Sequence, residues 1–122
     1  MRRFLVFGLL VTIALVFSCA SVKLSEITAN MPDMSGKTDN VYRGGYIIPG
    51  MPAMKMTVDV TVKNQKIVSV NVIEHSGSPI GKKAVKTIIE RVIEKQSLNI
   101  DAVSGATTSS KAILKAVENA LL

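Results

Sequence analysis

The sequence predicts a small α+β domain, an antiparallel sheet packed against two amphipathic helices, and three observations predict it. Met54, Met56, Val58, Val60 and Val62 alternate strictly with Lys55, Thr57, Asp59 and Thr61, the two-residue period of a strand with one buried and one wet face. A second run rich in β-branched residues, Ile67 to Glu74, follows closely. Two later stretches place apolar residues at helical spacing. With 122 residues and 13.1 kDa the chain has room for one such domain and little beside it.

Taken in order, Val41 to Ile48 reads as a first short strand, bent at Gly44 and Gly45 and interrupted by Pro49, Gly50 and Pro52. The runs on either side of Asn64-Gln65 then form a hairpin from Met54 to Glu74, although Gly would suit the second turn position better. Ser78 and Pro79 resemble a helix start. Ile80, Ala84, Val85, Ile88, Ile89, Val92 and Ile93 carry that helix to Glu94, with Lys82, Lys83, Lys86, Glu90 and Glu94 mostly turned to water. A second helix runs from about Ser109 to Leu121 on an apolar face of Ala112, Ile113, Ala116, Val117, Ala120 and Leu121. Both helices are expected on one face of the sheet. Met54 and Met56 fall in the strand's apolar phase and read as core, while Met31, Met34 and Met51 lie in irregular chain.

The amino terminus reads as an address. Met1, Arg2 and Arg3 precede an apolar run from Phe4 to Phe17, 14 residues long. That is short of the roughly 20 a membrane span needs and within the range of a signal peptide's apolar region. Val16-Phe17-Ser18-Cys19 resembles the lipobox of bacterial lipoproteins, in which cleavage leaves a lipidated cysteine, although Phe17 is bulkier than the usual residue. The expected organisation is a signal peptide over residues 1–18, a lipidated linker over 19–40 and a folded domain over 41–122. The domain would be extracytoplasmic and held to the membrane at Cys19. An ordinary signal peptide with an incidental cysteine, or an uncleaved anchor, is the plainer alternative.

Composition removes several functions. One Cys allows no internal disulfide and no multi-cysteine zinc or iron–sulfur site. The net charge of +6 falls to +4, 13 basic against 9 acidic residues, once Arg2 and Arg3 are set aside. Lys82, Lys83 and Lys86 form the only close basic cluster and read as a solvated helix face. With 4% aromatics and no Trp, no nucleic-acid partner is expected. Neither a dinucleotide fingerprint nor a strong acid/base cluster is present, so the chain does not read as a stand-alone enzyme. No metal ligands are assigned.

The segment with chemical promise is Asp101-Ala102-Val103-Ser104-Gly105-Ala106-Thr107-Thr108-Ser109-Ser110, small and rich in hydroxyls, ending where the last helix begins. Free amides and the positive end of a helix dipole suit an anion there, and Gly105 lets a ligand approach the backbone. Taken alone, such residues are more often simple N-caps.

This run, with Lys111-Ala112-Ile113 after it, resembles the signature of the FMN-binding domain found in subunits of the sodium-translocating NADH:quinone reductase, in the Rnf complex and in small extracytoplasmic flavoproteins. The resemblance extends from about Tyr42 to Leu121 and includes the Glu74-His75 strand end and the Ile93-Glu94-Lys95-Gln96-Ser97 segment. It implies that a flavin transferase, using FAD and a divalent metal, attaches FMN through its phosphate to a hydroxyl in the signature. Asp101, Ser104, Gly105 and Ala106 match, and the acceptor position falls on Thr107. Thr108 lies one place beyond the pattern, and Ser109 joins it at the helix start.

The chain departs from the family where a Glu-Thr-Pro-Gly-like loop is usual: here His75-Ser76-Gly77-Ser78-Pro79-Ile80-Gly81 lacks the Glu and has Ser78 for the Thr. His75 and Ser78 are the weaker candidates for cofactor contact. The implied function is a lipid-anchored flavoprotein shuttling electrons between a membrane donor complex and an acceptor. The rivals are an electron-entry subunit for a fumarate-reductase-like partner and a module that holds FMN without a covalent bond.

Overall fold

The computed structural model describes residues 27–76 and 78–122; the expected signal segment and Cys19 lie outside the described residues. Strands β1 (Asn40–Ile48), β2 (Met51–Lys63) and β3 (Lys66–His75) form one antiparallel sheet in the order β1-β2-β3, followed by α1 (Pro79–Lys95) and α2 (Thr107–Leu121). The predicted α+β class and hairpin are both present. Asn64 and Gln65 form the turn with φ of 52° and 61°. Two successive left-handed residues match the right-handed twist of the flanking strands, and Lys63 pairs directly with Lys66.

Strand β1 keeps its pairing through its glycines. Its register with β2 is continuous from Asn40↔Val62 to Ile47↔Lys55, and the irregularity falls between Ile47 and Ile48. Gly44 serves packing instead: a Cβ there would lie 2.3 Å from the Ala120 nitrogen and 2.4 Å from the Ala116 oxygen. The backbone of α2 therefore rests directly on β1. Gly50, at φ +78°, closes the turn that feeds β2, which begins at Met51 rather than Met54.

The inner face of β2 forms the floor of the core. Met56, Val58, Val60 and Val62 are buried there. They meet Val85, Ile88 and Val92 of α1 and Ala112, Ile113, Ala116, Val117 and Leu121 of α2. Full burial of such an aliphatic side chain contributes about 1.5–3 kcal/mol, so the alternation in β2 and the two helical stripes supply most of the stabilisation. Helix α2 lies over β1 and β2, whereas α1 packs on β3 and α2. The opposite sheet face carries the cross-strand pair Arg43 and Asp59 at 2.7 Å and the pair Lys55 and Glu74 at 3.5 Å.

This packing gives the molecule two ends. At one lie His75, Met54, Met56 and Ile48 with Ser109 and Ala112 of α2. At the other, Gln96 caps α1 in the left-handed conformation and clamps β3. Its Oε1 accepts from Ile67 N at 2.8 Å and its Nε2 donates to Ile67 O at 2.7 Å.

The lead-in, expected as a linker, is docked over its described part. Ala29, Met31 and Met34 pack against the core. Asn30 N donates to Glu118 Oε2, Lys111 Nζ to Ile27 O at 3.2 Å, Lys115 Nζ to Thr28 O at 3.4 Å and Lys37 Nζ to Leu121 O. Its polar composition hid this because each of these hydrogen bonds pairs a side chain with a backbone amide or carbonyl across the two segments. Composition does not record that kind of contact.

Candidate functional site

Helix α2 begins at Thr107, two residues before the predicted Ser109. The N-cap is Ala106, whose side chain accepts nothing, so the simple N-cap reading of the hydroxyls does not hold. Ser110 works in the other direction. Its hydroxyl donates to Ala106 O at 2.7 Å and accepts from Val103 N at 3.0 Å. Ala106 N bonds Val103 O, and Gly105 takes φ +82°, so the signature folds back on itself before the helix starts.

The first intrahelical amide bond runs from Ser110 N to Ala106 O. The amides of Thr107, Thr108 and Ser109 precede it and face outward, as the opening amides of any helix do. Among the signature's hydroxyls, Ser109 and Ser110 are buried, Thr108 is half-buried, and Thr107 and Ser104 are exposed. Of those, Thr107 alone stands exposed in the first turn of the helix.

A cleft of about 310 Å³ lies over this turn, lined by Met54, Ser78, Gly81, Gly105, Ala106, Thr107, Thr108 and Ser109. The start of α1 forms its second wall. Ser78 caps that helix, its Oγ accepting from Gly81 N at 3.2 Å, and no acidic residue occupies the first turn of either helix. Two positive helix ends thus converge without a carboxylate between them, which favours an anionic group. A Cβ on Gly81 would lie 2.4 Å from Ser109 Oγ, so the two helix starts are as close as this glycine permits.

A second cleft of about 430 Å³, lined by Val72, Ile73, His75, Lys82 and Val85, opens between β3 and α1. His75 joins the two regions, with Nε2 3.4 Å from Ser109 Oγ. Burial, and secondarily the charge of Lys82, holds the imidazole below the ordinary histidine range, which favours the neutral ring.

The signature's remaining residues lie elsewhere. Asp101 lines a separate cavity of about 210 Å³ with Thr28, Asn99 and Lys111, and Ser104 lines neither cleft. Gly81, Lys82 and the lining role of Met54 escaped the sequence reading. A glycine inside a helical pattern is the one signal that pointed to Gly81, because its cost in a helix asks for a packing reason. Among the described residues no three His, Cys, Asp or Glu side chains gather to hold a metal ion, and no helix is long and apolar enough to cross a membrane.

The site is that of a small cofactor-binding module: paired clefts within the roughly 300–1,000 Å³ of small-molecule sites, an anion seat at two helix starts, and apolar walls beyond it. The chain belongs to the FMN-binding domain family, whose model matches residues 53–122, more than half of its length. FMN fits the donors present. Free amides and a hydroxyl at the α2 start suit its phosphate, and Val72, Ile73 and Val85 offer an apolar wall.

Curated relatives agree with the family. The chain is 39% identical over 67 residues to an NADH:acrylate oxidoreductase of Vibrio harveyi, covering 54% of this chain and 7% of that protein. It is 32% identical over 68 residues to a urocanate reductase of Eggerthella lenta, 55% of this chain and 11% of that protein. An NADH:fumarate oxidoreductase of Klebsiella pneumoniae is 30% identical over 106 residues, 82% of this chain and 11% of the relative. The match thus spans only a small part of each of these longer proteins.

Proposed function

We infer that the protein is an electron-transfer flavoprotein that carries FMN esterified to Thr107 and works outside the cytoplasm, tethered by lipid at Cys19. The observation that carries this reading is the exposed Thr107 hydroxyl in the first turn of α2, above a cleft whose two helix starts bear no acidic residue. A phosphoester needs an oxygen nucleophile, and the neighbouring Ser109 and Ser110 hydroxyls are buried. A flavin transferase using FAD is the partner that would make the bond: the Thr107 oxygen would attack the flavin-side phosphorus, the pyrophosphate bond would break with AMP leaving, and the hydroxyl proton would pass to solvent. When bound, FMN supplies one- and two-electron chemistry. The chain's own residues position it: the α2 amides receive the phosphate charge, the apolar wall of β3 and α1 excludes water, and neutral His75 bridges the clefts.

In-gel fluorescence of denatured protein, made together with a flavin transferase, tests the attachment. Thr107→Ala is expected to lose the fluorescent band, while Thr107→Ser and Thr108→Ala keep it. A band retained in Thr107→Ala would move the bond elsewhere.

A second reading is favoured by the relatives, in which the matching region is a minor part of a reductase. The chain would then be a detached electron-entry subunit for a fumarate-reductase-like partner. Reduction by membranes followed by reoxidation with small acceptors, in the presence and absence of such a partner, separates the two. A carrier is reoxidised without the partner, whereas an entry subunit requires it.

A further inference from the structure

The lead-in runs along a stripe of α2 that begins at the candidate acceptor. Thr107, Lys111, Lys115 and Glu118 follow one another at three- and four-residue spacing, so they share one side of the helix. Lys37 meets the last carbonyls of α2 at Leu121, Asn30 meets Glu118, Thr28 meets Lys115 and Ile27 meets Lys111. Read toward the amino terminus, the chain leaves the start of β1 at the hairpin-turn end and climbs back toward the clefts. From Leu121 to Lys111 is about 15 Å along the helix axis, and Lys111 stands about 6 Å from Thr107.

We propose that residues 27–37 are a clasp that returns the upstream chain to the cofactor end, so that a lipid surface holding Cys19 faces the Thr107 cleft rather than the hairpin turn. This rests on the lipid-anchored reading above. Seven residues lie between Cys19 and Ile27, and the eight steps that join them reach at most about 29 Å. Were the lead-in free, 20 residues would lie between Cys19 and Asn40, and the 21 steps that join them would reach about 75 Å starting from the opposite end. The clasp therefore moves the origin of the tether from the hairpin-turn end to the level of Lys111, nearer the cofactor end, and shortens how far the domain can travel. Its occupant is the bilayer itself, approached by the short segment that precedes Ile27.

The chain has no Trp, which allows single-Trp reporters at each end: Ser76→Trp beside His75 and Lys63→Trp at the hairpin turn, both exposed positions. The mature chain beginning at Cys19 is coupled through that thiol to maleimide lipid in vesicles bearing dansyl headgroups. Energy transfer from Trp to dansyl is then read. Transfer at least twofold greater from position 76 than from position 63 is expected, and the difference should vanish in Asn30→Pro, which removes the amide donor to Glu118. Lys111→Met with Lys115→Met opens the clasp by a second route should Asn30→Pro fail to fold. Equal transfer with the clasp intact, or greater transfer from position 63, would overturn the proposal. Because the coupling is chemical, this outcome is independent of native acylation. Mass analysis of Cys19 in chain taken from its own membranes tests the anchor separately.

Discussion

At the scale of single residues, two glycines and one histidine set the site. Gly44 and Gly81 each hold a place where another element leaves no room for a methyl group, α2 backbone against Gly44 and the Ser109 side chain against Gly81. Gly44→Ala meets backbone, which cannot rotate away, and is expected to cost about 3 kcal/mol in chemical denaturation. Gly81→Ala meets a serine hydroxyl, so Ser109→Ala should recover most of its loss in a double-variant cycle. Additive effects would mean that the two residues do not share the contact. Neutral His75 adds a pH term. Its folded value lies below the ordinary 6.5, so as pH falls through about 6.5 the unfolded chain takes up a proton that the folded chain resists. Stability should therefore fall on acidification below the ordinary histidine range, and urea midpoints measured between pH 7.5 and 5.5 should show a smaller fall in His75→Gln. An identical slope would remove His75 from the account. Thr107 stood out in the sequence because a phosphoester acceptor must carry a hydroxyl, and the signature places one there; the structure adds that this residue is exposed in the first turn of α2. Gly81 did not, since the reason for it lies on another helix.

At the scale of elements, the strands and helices were legible where burial imposes a period. The alternation in β2 and the apolar stripes of both helices are direct images of one buried face. The start of α2 was not legible. Its periodic apolar residues begin at Ala112, one turn inside the helix, and the first turn is held by the Ser110 hydroxyl rather than by a capping side chain. Ser110→Ala removes the acceptor of Val103 N and is expected to cost about 1–2 kcal/mol, loosening the turn that presents Thr107. Thermal unfolding reads the cost, and slower flavin attachment with an unchanged acceptor reads the loosening. The reason for Gly44 was hidden in a similar way, because that glycine answers to the neighbouring helix, whose backbone would meet a Cβ there.

At the scale of the molecule, the docked lead-in changes what the domain can do. A free linker would let it swing, whereas four hydrogen bonds to α2 make residues 27–37 part of the folded unit. Glu118 is central to that hold. Burial raises its pKa, but the Asn30 amide and Lys115 outweigh this and leave it below the ordinary carboxylate value. Its contribution is complete above the ordinary carboxylate range and lost as pH falls through the lower folded value. Limited proteolysis should leave the lead-in intact at pH 7 and cut it faster in Asn30→Pro; equal rates would mean that the segment is not held in solution. The paired clefts, the docked lead-in and the family's cofactor are what the proposed carrier requires, a small domain whose redox group would stay with the protein.

The most direct test of that design is peptide mass spectrometry on the chain produced together with a flavin transferase. The expected spectrum shows one FMN, joined with loss of water, on the peptide containing Thr107, with fragment ions assigning the bond to that residue. A chain without the adduct, or an adduct mapped to any other residue, would contradict the account.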